Sequence, residues 1–194
     1  MEWLVGRIVV TENISLDGVI RDPAGDEGFE RGGWVGAIRD RPELARQALD
    51  EARQADAMLL GRRTYEWFAA RWPTRIGELA DRLNTMPKVV VSATLTSPEW
   101  QNTSVLSGDV IEDVTRLKAR TPGEIEVPGS GRLVRLLMEH DLVDELRLKV
   151  FPIALGAGEH LFGETCTSLG WRLADVRVLD GETAFLTYQR APRD

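Results

Sequence analysis

Short runs of β-branched residues alternate along this chain with longer stretches rich in Ala, Arg, Glu and Leu, and that alternation restricts the fold more than any other feature. Runs too short for a helix, spaced by segments of helix length, build strands joined by helical crossovers. Ile8, Val9, Val10 and Thr11 make the first run and are expected to sit centrally. Residues 42–55 open on Pro42, suited to a first helical turn, and carry Leu44, Ala48, Leu49 and Ala52 on one face. Residues 57–60 read as a buried strand ending at Gly61, where RRTYEWFAARW begins a helix that stops before Pro73. A short helix over 76–84, strands over 88–92 and 103–106, and a helix over 110–119 follow. Then come a strand over 124–127, the turn PGSG, and a helix over 132–140 with Leu133, Leu136, Leu137 and His140 on one stripe. Past Asp141 the pattern turns to strands, over 145–151, 171–179 and 183–190, the last two joined by Asp180-Gly181, a hairpin signal. The expected architecture is α/β: a mixed, mostly parallel sheet with flanking helices and a C-terminal antiparallel hairpin. No linker, repeat or low-complexity tract interrupts it, so residues 1–194 are expected to form one domain.

Charge and composition remove several function classes. The chain carries 24 Lys and Arg against 31 Asp and Glu, a formal charge of -7, which excludes a basic nucleic-acid-coating protein. One cysteine, Cys166, and two histidines, His140 and His160, provide neither a disulfide framework nor the ligands of a structural metal, and no metal is expected. Glu2 and Arg7 interrupt the N-terminal apolar stretch, unlike a secretory signal, and no run approaches the roughly 20 apolar residues that span a bilayer. A cytoplasmic protein with neither a membrane nor a nucleic-acid partner is expected.

Four constellations can carry chemistry. Gly61-Arg62-Arg63-Thr64 joins a strand end to a helix start, where free N–H groups, the positive end of the helix dipole and two arginines suit a phosphate. The same residues also describe an ordinary helix start with solvated arginines. Gly129-Ser130-Gly131-Arg132-Leu133 repeats the geometry and lets the backbone approach a pyrophosphate, but lacks the six-position glycine fingerprint of Rossmann folds. Ser92 and Thr94 lie just past a strand end, where they face a ligand or cap a turn. Asp17-Gly18 follows the first strand inside a long loop over residues 11–36, either a plain turn or an acid returning over the cleft. Parallel strands bring their C-terminal ends to one edge, so the polar, glycine-bearing ends together outline a dinucleotide cleft. His140 reads as a packed or capping residue, His160 as a solvated loop residue, and Cys166 as an inert thiol.

The segments SLDGVI, LLGRRTYEWF, KVVVSATL, IEVPGSGRLVRLL and LVDELRLKVFPIALGAGEHLF, in this order, resemble the dihydrofolate-reductase-like family. The branch is the one related to the reductase domain of bifunctional riboflavin-biosynthesis deaminase/reductases. The resemblance implies an eight-stranded mixed sheet, NADPH bound in an extended pose, and a homodimer. By that resemblance Gly61, Arg62, Arg63 and Thr64 would contact adenosine-side phosphates, and Ser92 and Thr94 would lie near the adenine ribose. Gly129, Ser130, Gly131, Arg132 and Leu133 would cradle the pyrophosphate, and the first strand to Asn13 would meet the nicotinamide carboxamide. Asp17 and Gly18 would flank the reactive ring, with Asp17 or a water as proton source. The substrate would stack near Trp34, Phe151 and Leu155, next to Pro152 and Gly156. Folate reductases hold their pterin with a carboxylate on the helix after the first long loop, and here residues 29–40 offer Glu30 and Asp40 outside that context. The implied activity is an NADPH-dependent reduction of a small heterocyclic (pterin-, pyrimidine- or flavin-like) or conjugated carbonyl or imine substrate. The alternative is a non-catalytic nucleotide- or flavin-binding module on the same fold.

Overall fold

The computed structural model describes residues 6–37, 40–163 and 168–191; Cys166 lies outside the described residues. Eight strands form one sheet: β1 (Arg7–Ser15), β2 (Ala55–Gly61), β3 (Lys88–Val91), β4 (Thr103–Leu106), β5 (Glu124–Pro128), β6 (Glu145–Phe151), β7 (Trp171–Leu179) and β8 (Thr183–Arg190). Their spatial order is β4-β3-β2-β5-β1-β6-β8-β7. Pairing is parallel from β4 to β6 and antiparallel for β6–β8 and β8–β7. Asp180 and Gly181, both at positive φ, close the hairpin as its two central turn residues, with Glu182 N–H donating to Leu179 O.

Five α-helices cover the sheet: α1 (Pro42–Gln54), α2 (Arg62–Ala69), α3 (Glu78–Thr85), α4 (Val110–Arg120) and α5 (Gly131–Glu139). Strand alternation decides which face each helix covers. Ile8, Val10, Ile125, Val127, Leu146 and Leu148 face α4 and α5, which add Val114, Leu117, Leu133, Val134, Leu137 and Met138. Met58, Leu60 and Val90 face the other way, against Ala52 of α1, Tyr65 of α2 and Leu83 of α3. Lys88 opens β3 fully buried; its ammonium donates to the carbonyls of Leu83 and Met86, both at 2.7 Å, and satisfies the C-terminal end of α3.

Several boundaries differ from the sequence reading, most by one or two residues. β1 continues past Thr11 to Ser15, because β6 pairs with it over Val9–Ser15 although β5 stops at Thr11. The long loop therefore begins at Leu16, and it contains a short 3-10 turn at Trp34–Ala37. The third helix starts at Glu78, leaving Ile76 99% exposed. The buried stripe of α5 is Leu133, Val134, Leu137 and Met138, while His140 is the exposed C-cap residue.

Candidate active site

The early end of β5 shapes the site. Beyond Thr11, β1 has β6 on one side and no strand on the other, and the chain leaving β5 turns through Gly129 and Ser130, whose φ values are +58° and +61°. Gly129 N–H closes the turn on Thr11 O at 3.2 Å. A cleft of about 730 Å³ opens at this edge, between the glycine turn, α2, α1 and the loop after β1.

Both helix starts on the cleft lack a side-chain cap. Their first-turn N–H groups remain available to an anion, and the helix dipoles favour one. The Ser130 hydroxyl ties the two starts together: it accepts from Gly61 N–H at 3.0 Å and donates to Thr64 Oγ1 at 2.9 Å. Gly129 holds a left-handed conformation that strains any side-chain-bearing residue, and a Cβ on Gly131 would lie 2.4 Å from Ile20 Cδ1. This is a backbone cradle that side chains would fill. Arg62 and Arg63 stand half-exposed at its rim, paired with Glu66 at 3.5 Å and with Glu27 at 3.0 Å. Those are surface pairs that an incoming phosphate can replace. The cradle and cations fit the phosphates of a dinucleotide.

Gly61, Arg62, Arg63, Thr64, Gly129, Ser130, Gly131, Arg132, Leu133 and Asn13 all line the cleft. Other expected site residues are placed elsewhere. Ser92 accepts from the N–H groups of Thr94 and Leu95 at 3.2 and 3.0 Å and caps the turn after β3, off the cleft wall. Gly18 forms the turn after β1 at φ +85°. Trp34, Phe151 and Leu155 form a sealed apolar cluster with Val19, 3%, 1% and 7% exposed, in which the Trp34 and Phe151 rings meet edge to face at 5.4 Å. Those three side chains anchor the long loop to the end of β6 and present no surface to the cleft. Asp17 accepts from Ser15 Oγ at 2.6 Å and from the N–H groups of Leu155 and Gly156 at 3.0 and 2.6 Å. The Ser15 hydroxyl first, then the two N–H groups, hold its carboxyl well below the usual carboxylate range. At neutral pH it is an anionic acceptor that pins two loops, and it has no proton to give.

Asp22 organises the loop that roofs the cleft. Its buried carboxylate accepts from the N–H groups of Gly25, Asp26, Glu27 and Phe29 at 2.9 to 3.1 Å. Burial alone would raise its pKa, but these four donors bring it below the ordinary value. The loop then reaches across to α2, where Asp26 accepts from Trp67 Nε1 at 3.1 Å and pairs with Arg71.

The cleft holds a charged cluster that the sequence reading passed over. Glu12, Glu51, Glu126 and Lys149 all line it, and all are under 9% exposed. Lys149 Nζ donates to Glu51 Oε2 at 2.7 Å, and Thr11 Oγ1 donates to Glu126 Oε1 at 3.0 Å. Burial, reinforced by Glu51, pushes Glu126 up to about 7, despite Lys149, Thr11 and Arg147. Burial pushes Glu12 up to about 8, and its Oε2 has no partner among the described residues. The carboxylate on the helix after the long loop is therefore Glu51, rather than Glu30 or Asp40. The charges inside the strand runs VVTENIS, EIEVP and LRLKVF read equally as the water-facing side of a two-faced sheet, so the sequence did not single them out. Trp67, Phe68 and Trp72 of the α2 region add an aromatic wall, and the indole N–H of Trp72 is buried without a partner among the described residues.

The chain belongs to the RibD C-terminal domain family, whose model matches residues 7–185. It is 25% identical over 188 residues to the uncharacterized protein YyaP of Bacillus subtilis, spanning 94% of each chain. Among solved structures it resembles a putative riboflavin biosynthesis protein from Shewanella sp. PV-4, at 25% identity and a TM-score of 0.75, covering 96% of this chain and 99% of that one. A dihydrofolate reductase from Enterococcus faecalis, solved with NADP(H) and RAB-propyl, shares the fold at 15% identity, with a TM-score of 0.63 over 96% of this chain and 97% of that one. The fold is thus dihydrofolate-reductase-like, and the family is one of reductase-like domains.

Proposed function

We propose that the chain is an NADPH-dependent reductase of a small heterocyclic or conjugated carbonyl or imine substrate. The observation that carries this reading is the double cradle, two uncapped helix starts joined by the Ser130 hydroxyl over a glycine turn, with Arg62 and Arg63 at its rim. The cited reductase, solved with NADP(H), has the same fold. NADPH is favoured over NADH because paired guanidinium groups recognise the extra phosphate of the former. When bound, the cofactor supplies a hydride. The protein's own groups hold its phosphates on the backbone, orient the ring along β1 beyond Thr11, and exclude water under the Asp22 loop.

The test is calorimetric titration of the purified protein with NADPH and NADH, after its absorbance spectrum has been recorded. Tight, NADPH-preferring binding and a colourless protein are expected. Failure to bind either nucleotide would remove the reductase reading, and flavin absorbance would favour a flavin-binding module.

The proposed assembly is a homodimer through the terminal hairpin. β7 is an edge strand, and Leu173, Val176 and Val178 are 49%, 53% and 64% exposed on one face of it. A second copy packed against the hairpin would cover that face and shield the unpaired edge.

A further inference from the structure

The cleft needs a proton source if its chemistry is hydride transfer, and Asp17 is fixed as an acceptor. Glu126 stands on β5, two residues before the glycine turn, on the cleft wall. Thr11 occupies its Oε1, and Oε2 has no hydrogen-bond partner among the described residues. The groups that face it come from four elements. Glu51 of α1 and Lys149 of β6 neutralise each other at 2.7 Å. Arg147 of β6 is engaged by Glu145 at 2.8 Å and by Glu124 at 2.9 Å. From β1 comes the Thr11 hydroxyl, and the strand neighbour on β2 is the apolar Met58. The two cations that act on Glu126, Lys149 and Arg147, are thus both already paired with other carboxylates. Glu12, the other buried acid, follows Thr11 on β1 and so alternates to the sheet face opposite Glu126, and its Oε2 is buried.

We propose that Glu126 is the acid of this cleft, holding a proton on Oε2 while a reduced nicotinamide is bound and giving it to the substrate. This rests on the reductase reading above. In the step, the carbon of a neutral C=N or C=O group takes the hydride from the dihydronicotinamide, which is oxidised. The adjoining nitrogen or oxygen takes the Glu126 proton, and the carboxylate recovers a proton from water. The cluster also selects the substrate: with Glu51 and Lys149 paired and Glu126 protonated, the floor is close to neutral, which suits a neutral, weakly basic ring that accepts the Glu126 proton.

The inference predicts a proton linkage that needs no substrate. The oxidised ring is cationic and the reduced ring is neutral, so NADP⁺ should draw the proton off Glu126, whereas NADPH should leave it in place. With Glu126 at about 7 in the free protein, a fall of about one unit lowers its protonated fraction at pH 7 from about one half to about one tenth. The release is about 0.4 proton per site.

The experiment is calorimetry of NADP⁺ and NADPH binding at pH 7 in buffers of different ionisation enthalpy, with wild type, Glu126→Gln and Glu12→Gln. Release with NADP⁺ but not NADPH, lost in Glu126→Gln and kept in Glu12→Gln, is the expected result. Release that persists in Glu126→Gln, or that vanishes only in Glu12→Gln, overturns the assignment while the cofactor reading stands. Both nucleotides binding to wild type with no proton difference also overturns it. If neither nucleotide binds wild type, the reductase reading falls, and the inference falls with it.

Discussion

Replacing Lys149 by methionine keeps the length of the side chain and removes its charge. It leaves Glu51, 3% exposed, without the ammonium now 2.7 Å away. Removing one partner of a buried pair costs about 3–5 kcal/mol, because the other charge stays desolvated. The lower end, about 3 kcal/mol, is expected because Gln47 Nε2 still donates to Glu51 Oε1 at 3.2 Å. For a chain of this length that is a fall in Tm of about 6–12 °C. The double variant Glu51→Gln/Lys149→Met removes both charges and should lose under about 1 kcal/mol. The sign with pH follows from the same cause. Without Lys149, which holds it down, the folded-state pKa of Glu126 rises further above the unfolded value. Stability is then fully present below about 4.3, the unfolded value, and is lost as pH rises through the folded value. Urea unfolding of the four proteins of this cycle at pH 5 and pH 8 is the assay. A Lys149→Met deficit that is the same at both pH values, or a double variant as unstable as the sum of the singles, would refute the reasoning.

Three other outcomes are expected. Wild-type stability should decline between about pH 5 and pH 8, since Glu126 and Glu12 have folded values raised to about 7 and about 8. Glu126→Gln should flatten that decline by up to about 3 kcal/mol, and an unchanged slope in urea melts would show that Glu126 ionises normally. Asp22→Ala orphans four backbone donors, so it should cost about 2–4 kcal/mol and speed proteolysis within residues 23–33 at least about tenfold; the exposed control Glu182→Ala should do neither. Val176→Lys should shift sedimentation toward the monomer, while a monomeric wild type would rule out the hairpin assembly.

The strands β4, β6, β7 and β8 follow the sequence pattern residue for residue, because alternation, β-branched content and the Asp180-Gly181 turn agree there. β1 was read too short because Glu12 and Asn13 break its apolar run. They do so where β5 ends and the cleft begins, so the break in propensity marks the site. The two glycine-bearing helix starts, which the structure joins through Ser130, were visible because a glycine at a strand end marks a special backbone turn. The aromatic residues were not interpretable in the same way: Trp34 and Phe151 are equally suited to core and pocket, and only packing shows them sealed. Glu126 and Lys149 were hidden for the opposite reason. Alternate polar residues in a strand normally face water, and nothing in EIEVP or LRLKVF reveals that α1 lies over that face.

The central claim, a dinucleotide phosphate site at the two helix starts, is tested most directly by titrating wild type and Arg62→Ala/Arg63→Ala with NADPH and NADH. Both arginines are half-exposed, so the variant should keep its fold. The account predicts that NADPH affinity falls at least about tenfold while NADH affinity changes less than about threefold. Equal losses for the two nucleotides, or no loss for either, would contradict it.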